Sequence, residues 1–192
     1  MIFIFIGAAF INNFVLTQFL GMCPFFGTSK RTEMAFGMGI AVMFVMTFAT
    51  ILTYLFYNFI LMPLNITYLQ TIAFILIIAS TVQFIEVYMK KAFTSLYAML
   101  GIYLPLITTN CAIMGVTLLN IDKDLTFIGA IVNSIGAGSG FLLALVLLAG
   151  IREKYNTNPD VPEVFKGFPL ALFAAGMMAI AFMGFQGLAF GG

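Results

Sequence analysis

Five stretches of this chain, residues 1–29, 34–85, 92–121, 125–151 and 167–192, contain no Asp, Glu, Lys or Arg. A helix needs about 20 apolar residues, at 1.5 Å rise each, to cross roughly 30 Å of hydrocarbon. Four stretches are long enough for one crossing. The fifth, 34–85, holds two, with a turn at Met62-Pro63-Leu64-Asn65, where proline and asparagine favour a reversal. The expectation is six spans, near 3–27, 35–60, 68–88, 94–118, 126–149 and 168–188. Composition agrees: 62% of residues are hydrophobic and 8% charged, whereas a soluble domain carries about 25% charged residues.

Lipid offers the backbone no hydrogen-bond partners, so the spans must be helices or closed barrels. Barrel strands alternate in polarity over about ten residues, and these runs are uniformly apolar. The fold class is therefore all-α integral membrane. The opening Met-Ile-Phe-Ile-Phe-Ile lacks the basic stretch of a cleaved signal and reads as the start of the first span.

The few charges set orientation. Lys30, Arg31, Lys90, Lys91, Arg152, Lys154 and Lys166 fall on loops 28–34, 89–93 and 151–167, and only Lys123 falls on the other side. The positive-inside rule places those three loops in the cytoplasm and both termini outside. The net charge of +1 says nothing about nucleic acid, and there is no basic run to bind it, so no nucleic-acid partner is expected.

Dividing the chain at Lys91 gives three spans per half, 1–91 and 92–192, within one membrane domain. Each half begins with a cysteine-bearing span, then a short polar loop (Ser29–Glu33, Asn120–Asp124), then a glycine-rich span. An odd number of spans per half makes the halves lie upside down relative to each other. This is an inverted 3+3 repeat, a plan whose working sites lie near the midplane where helices are interrupted.

The cysteines, Cys23 and Cys111, share a Cys-x-x-x-Gly setting beside helix breakers: Gly21 and Pro24 in one case, Gly101 and Pro105 in the other. On straight helices Cys23 would lie about 30 Å, and Cys111 about 28 Å, along its span, at opposite faces of the membrane. Both spans must break for the thiols to meet. Two buried thiols are ordinarily small core residues. Their repetition in both halves points instead to half of a metal site. Zinc and iron–sulfur centres need four ligands. The chain has two cysteines and no histidine, so the other two ligands must come from a partner. Asn12, Asn13, Thr108, Thr109 and Asn110 lie near the thiols in sequence as candidate donors to sulfur, with Asn133 and Ser134 in the fifth span as interhelical hydrogen-bond formers.

Other features carry less. Gly136-x-Gly138-x-Gly140 lies inside a span, where small residues four apart permit close helix packing and no dinucleotide loop can form. Glu86 and Lys90 have the spacing of an interfacial helix pair, Asp122-Lys123-Asp124 of a solvated turn. The 23 Phe and 13 Met are lipid-facing and gap-filling bulk. No triad, Walker loop or nucleotide fingerprint is present, so the chain has no catalytic site of its own for a soluble substrate and binds no flavin or nucleotide alone.

The segments Asn12-Asn13-Phe14-Val15-Leu16, Phe19-Leu20-Gly21-Met22-Cys23-Pro24-Phe25 and Leu104-Pro105-Leu106-Ile107-Thr108-Thr109-Asn110-Cys111-Ala112 resemble the A subunits of Rnf complexes. So do Gly150-Ile151-Arg152-Glu153-Lys154 and Ala181-Phe182-Met183-Gly184-Phe185, and the likeness runs the whole length. Rnf complexes are ion-translocating oxidoreductases that couple electron flow between ferredoxin and NAD to Na⁺ or H⁺ movement. They occupy the bacterial or archaeal cytoplasmic (inner) membrane. The resemblance implies a pseudo-symmetric heterodimer with the related E subunit, beside other membrane, flavin and iron–sulfur subunits. It also implies a shared intramembrane [2Fe-2S] cluster with Cys23 and Cys111 as this chain's ligands. Two alternatives stand beside this one. The E-type subunit of the Na⁺-translocating NADH:quinone reductase, Nqr, is similar but has Glu-Asn-Met-Ala at Asn12–Val15, Thr-Val-Asn-Cys at Thr108–Cys111 and a longer second connection. An inverted-repeat solute carrier with incidental cysteines would need no partner and no iron.

Overall fold

The computed structural model describes residues 5–11, 13–64, 67–92, 106–107, 109–157 and 167–186. Among them every regular element is helical and there is no strand. A π-helical turn, Gly7–Ile11, precedes α1 (Phe14–Thr17) and α2 (Met22–Thr28). Next come α3 (Thr32–Phe56), prolonged by a π-helical turn at Tyr57–Leu61, and α4 (Gln70–Ala92). The chain then forms α5 (Cys111–Asp122), α6 (Phe127–Thr157) and α7 (Phe168–Gln186).

Three of these helices are long and apolar enough to cross a membrane: Thr32–Leu61, Gln70–Tyr88 and Phe127–Thr157. They coincide with the expected spans 35–60, 68–88 and 126–149, the last running eight residues further. The helix expected at 168–188 forms as α7, with a shorter apolar run, Phe168–Gly184. The two cysteine-bearing spans differ from a straight crossing. Residues 3–27 are divided among the π-helical turn, α1 and α2. In 94–118 residues 106–107 are helical, 109–110 are not, and α5 starts afresh at Cys111; 93–105, with Gly101 and Pro105, and 108 lie outside the described residues.

The α3 and α6 helices form the centre. Between helices in lipid the hydrophobic effect supplies little attraction, so close packing and hydrogen bonds must hold them together. The glycines provide the closeness. A Cβ on Gly138 would lie 2.6 Å from Met43 Cγ and 2.9 Å from Met43 Cα, and one on Gly39 would lie 2.9 Å from Leu142 Cγ. On another face of α6, a Cβ on Gly140 would stand 2.7 Å from Ala9 O, and one on Gly136 3.0 Å from Phe5 O. The N-terminal turn thus lies with its backbone directly on α6, as the spacing of Gly136 and Gly140 suggests. Phe25, Phe74, Phe141, Met38 and Met46 are fully buried core residues rather than lipid-facing bulk. Phe44, Phe59, Phe84, Phe173 and Ile180 do point outward.

Candidate metal centre

The first cysteine segment breaks twice before its thiol. Asn13, in extended backbone (φ −65, ψ 107), caps α1 by accepting a hydrogen bond from Val15 N at 3.2 Å. After Thr17 the chain turns through Phe19 (φ 57) and Gly21 (φ 83), both left-handed, and Leu20 N–H reaches back to Phe14 O at 3.1 Å. Left-handed backbone costs a residue with a Cβ about 1–2 kcal/mol. Gly21 then serves as N-cap of α2, with Cys23 the second residue of that helix. Pro24, read from sequence as a breaker, sits inside the first turn of α2, where an amide N–H has no helical partner to lose. The break lies upstream of it.

The second segment repeats the device. Asn110 (φ −73, ψ 111) caps α5 by accepting from Ala112 N at 3.0 Å, and Cys111 is the first residue of that helix. Its Sγ lies 4.0 Å from Thr109 O.

The two helix starts abut. A Cβ on Gly21 would stand 2.9 Å from Asn110 Oδ1, 3.0 Å from Ala112 Cβ and 3.2 Å from Phe141 Cε2. Gly21 is two residues before Cys23 and Asn110 one before Cys111, so the fold brings together two thiol-bearing turns 88 positions apart. Both cysteines are free and exposed, while Gly21, Pro24, Phe25, Asn110 and Ala112 around them are buried. The thiols are thus on the outer surface of the chain, above a packed floor.

Of the five candidate sulfur donors, Asn12 and Thr108 lie outside the described residues. Thr109 is exposed beside Cys111. The Asn13 amide is engaged elsewhere, its Nδ2 donating to Gly140 O at 2.9 Å. Asn110 is 3% exposed, and its Nδ2 has no hydrogen-bond partner among the described residues.

A [2Fe-2S] cluster takes four ligands, usually cysteine thiolates. Among the described residues no three of His, Cys, Asp or Glu gather into a metal-binding group. Two exposed thiols, carried on helix starts that abut through Gly21 and Asn110, fit half of such a donor set.

A family model described as "Rnf-Nqr subunit, membrane protein" matches residues 1–189. The chain belongs to the Rnf-Nqr family. It is 58% identical over 191 residues to the A subunit of the Na(+)-translocating ferredoxin:NAD(+) oxidoreductase complex of Acetobacterium woodii, covering 100% of this chain and 99% of that one. It is 54% identical over 185 residues to the A subunit of the ion-translocating oxidoreductase complex of Sodalis glossinidius, covering 96% and 95%. The corresponding Vibrio vulnificus protein is 51% identical over 187 residues, covering 97% of each chain.

Two further features of this Rnf-Nqr chain support the cysteine turns; the sequence pointed to Asn133 and Ser134 as interhelical hydrogen-bond formers, but not to Asn120 or to the buried role of Arg152. The first is a buried polar chain across α3, α5 and α6. Asn133 Nδ2 donates to Asn120 Oδ1 at 2.6 Å, and Asn120 Nδ2 donates to Ser134 Oγ at 3.1 Å. Ser134 Oγ also shares a 2.8 Å hydrogen bond with Thr50 Oγ1. Asn120 was expected in a polar loop. It lies instead in the last turns of α5, 1% exposed, and the exposed turn begins at Asp122. The second is Arg152, expected only as an orienting loop charge. It is 8% exposed in α6, and its Nη1 donates to Phe26 O at 3.0 Å and to Ser29 Oγ at 2.6 Å. A cation at the last carbonyls of α2 complements that helix end and fixes the helix bearing Cys23.

Proposed function

We propose that this chain is a membrane electron-relay subunit of an Rnf-type ion-translocating ferredoxin:NAD oxidoreductase. Its Cys23 and Cys111 would hold half of an intramembrane [2Fe-2S] cluster, with the related E subunit supplying the other two thiolates. The observation that carries this reading is the abutment of Gly21 on Asn110 and Ala112, which unites two thiol turns that straight helices would hold apart. The relatives' names supply the complex, since the Acetobacterium woodii relative belongs to a ferredoxin:NAD(+) oxidoreductase as its A subunit.

The same reading gives the architecture: one membrane domain, 1–192, with six spans in inverted halves 1–91 and 92–192, in the bacterial or archaeal inner membrane. The segments 28–34, 89–93 and 151–167, which include the ends of α4 and α6, face the cytoplasm and both termini lie outside. Helix lengths support this. From Ser29 at one face back to Cys23 is about 9 Å along α2, and from Asp122 at the other face back to Cys111 is about 16 Å along α5. Together these depths account for most of a hydrocarbon layer about 30 Å thick. Two helices entering from opposite faces then present their thiols at a common interior level.

Bound there, the cluster supplies reversible one-electron storage. The chain's own residues present two thiolates at one surface and close the floor beneath them with Phe25, Ala112 and Phe141, excluding water. Arg152 and the Asn120 chain hold the two helices in place. Ion movement would be linked to rearrangement at the breaks beside the thiols.

Purifying the complete complex carrying Cys23→Ala, and separately Cys111→Ala, tests the reading by iron and acid-labile sulfide analysis with EPR after reduction. Each variant should lose one [2Fe-2S] signal while the other subunits still copurify. Undiminished iron with an unchanged spectrum would rule the ligand role out.

A further inference from the structure

The α6 and α7 helices pack against each other and leave an open groove of about 530 Å³ between them. Ligand sites enclose about 300–1,000 Å³. Ile151, Phe173 and Met177 line the groove, and Ala181 lies at its deep end. Lys154 and Tyr155, at the end of α6, stand at its mouth. Its length matches one lipid leaflet. Leu170 to Ala181 covers about 16 Å along α7, half of a hydrocarbon layer about 30 Å thick. Its charge is one-sided. Arg152 is turned away to donate to Phe26 O and Ser29 Oγ, and Glu153 is turned away to accept from Thr32 Oγ1. Lys154 is exposed and makes no ion pair among the described residues. An uncompensated cation therefore stands above an apolar trough, beside a tyrosine, a residue type that anchors at the headgroup level.

We propose that this groove binds an anionic phospholipid. The headgroup phosphate accepts hydrogen bonds from Lys154 and the Tyr155 hydroxyl, and one acyl chain lies along α7 as far as Ala181. Basic pockets between membrane helices on the cytoplasmic side hold such headgroups. One lipid molecule supplies both complements at the right levels: negative charge at the helix ends and a chain of single-leaflet depth below it. A spanning helix of another subunit would need a trough running the full depth, with an acidic group placed opposite Lys154. The site takes its leaflet from the orientation proposed above and owes nothing to the cysteine ligands.

The experiment uses the complete complex in vesicles of phosphatidylglycerol and phosphatidylcholine in equal parts. One lipid or the other carries a diazirine on its acyl chain. After photolysis, digestion and mass spectrometry, the phosphatidylglycerol probe should label residues 170–181 about fivefold more than the phosphatidylcholine probe. That is the preference one basic side chain supplies near anionic lipid. Lys154→Gln should bring the two probes to equal labelling, and Lys154→Arg should keep the preference. Ala181→Trp, at an exposed position, should fill the deep end and reduce labelling by both probes. Equal labelling in the parent, or a preference that survives Lys154→Gln, overturns the headgroup site. Absence of labelling at 170–181 by either probe means that protein covers the groove, from another subunit or from residues 158–166, and overturns it as well. Iron and sulfide content of the same preparations reads the cluster separately, so failure of the ligand role leaves the lipid result standing.

Discussion

Replacing Gly21 with alanine tests the joint between the two cysteine turns. Three effects come from a single methyl group. The φ of +83 is strained for a residue with a Cβ, at about 1–2 kcal/mol. The new Cβ would stand 2.9 Å from Asn110 Oδ1 and 3.0 Å from Ala112 Cβ, and crowding of this kind costs about 1–3 kcal/mol. Relieving it pushes Asn110 off Ala112 N, and losing such a cap costs about 0.5–2 kcal/mol. Relief of one effect lessens another, so they do not sum, and a net loss of about 3 kcal/mol is expected. At this chain length that corresponds to a fall in Tm of about 6–12 °C, read by thermal unfolding in detergent. Gly37→Ala is the control. No atom lies within 4 Å of its added Cβ and its φ is ordinary, so the mid-helix change should be neutral or stabilising by up to about 1 kcal/mol. If Gly21→Ala unfolds within about 1 °C of the parent, the two turns do not touch as described and the reasoning fails.

Gly140→Ala places a Cβ 2.7 Å from the backbone oxygen of Ala9 and displaces the segment whose Asn13 bonds to Gly140 O; a loss of about 1–3 kcal/mol is expected, against none for Gly150→Ala, which meets nothing within 4 Å. Parallel unfolding of the two variants checks this. Arg152→Ala leaves Phe26 O and Ser29 Oγ without their charged donor and should cost about 1.5–3 kcal/mol in chemical denaturation. Arg152→Lys, with a single point donor in place of the guanidinium fork, should recover only part of that loss.

Charge-free runs made the long helices legible, because in hydrocarbon an apolar stretch of sufficient length has few alternatives to helix. The α3, α4 and α6 helices accordingly formed where the runs lie. The position of the break before Cys23 was less legible. Pro24 looks like an interruption, yet proline is harmless in a first turn. The actual turn uses Phe19 in left-handed backbone, which a phenylalanine does not announce. Gly136 and Gly140 could be read as a packing face, but not that the backbone of an N-terminal π-helical turn would occupy it. Asn120 sits beside Asp122 in sequence and looks solvated; only tertiary contact with Asn133 and Ser134 draws it inside. The abutment of Gly21 on Asn110 spans 89 positions and has no local signal. What the sequence did carry was the requirement that both spans break if the thiols are to approach.

The hydrogen-bonded chain Asn133–Asn120–Ser134–Thr50 has a consequence for how this protein is made. Greasy surfaces in a bilayer can slide and rotate past one another at little penalty, so shape alone does not fix depth. Three helices pinned through directional side-chain bonds cannot slip a turn without breaking all of them at once. The ledge carrying Cys111 is thereby set at its height during insertion, by contacts within one polypeptide. Under the proposed function, a counterpart subunit would dock onto a surface already cut to size.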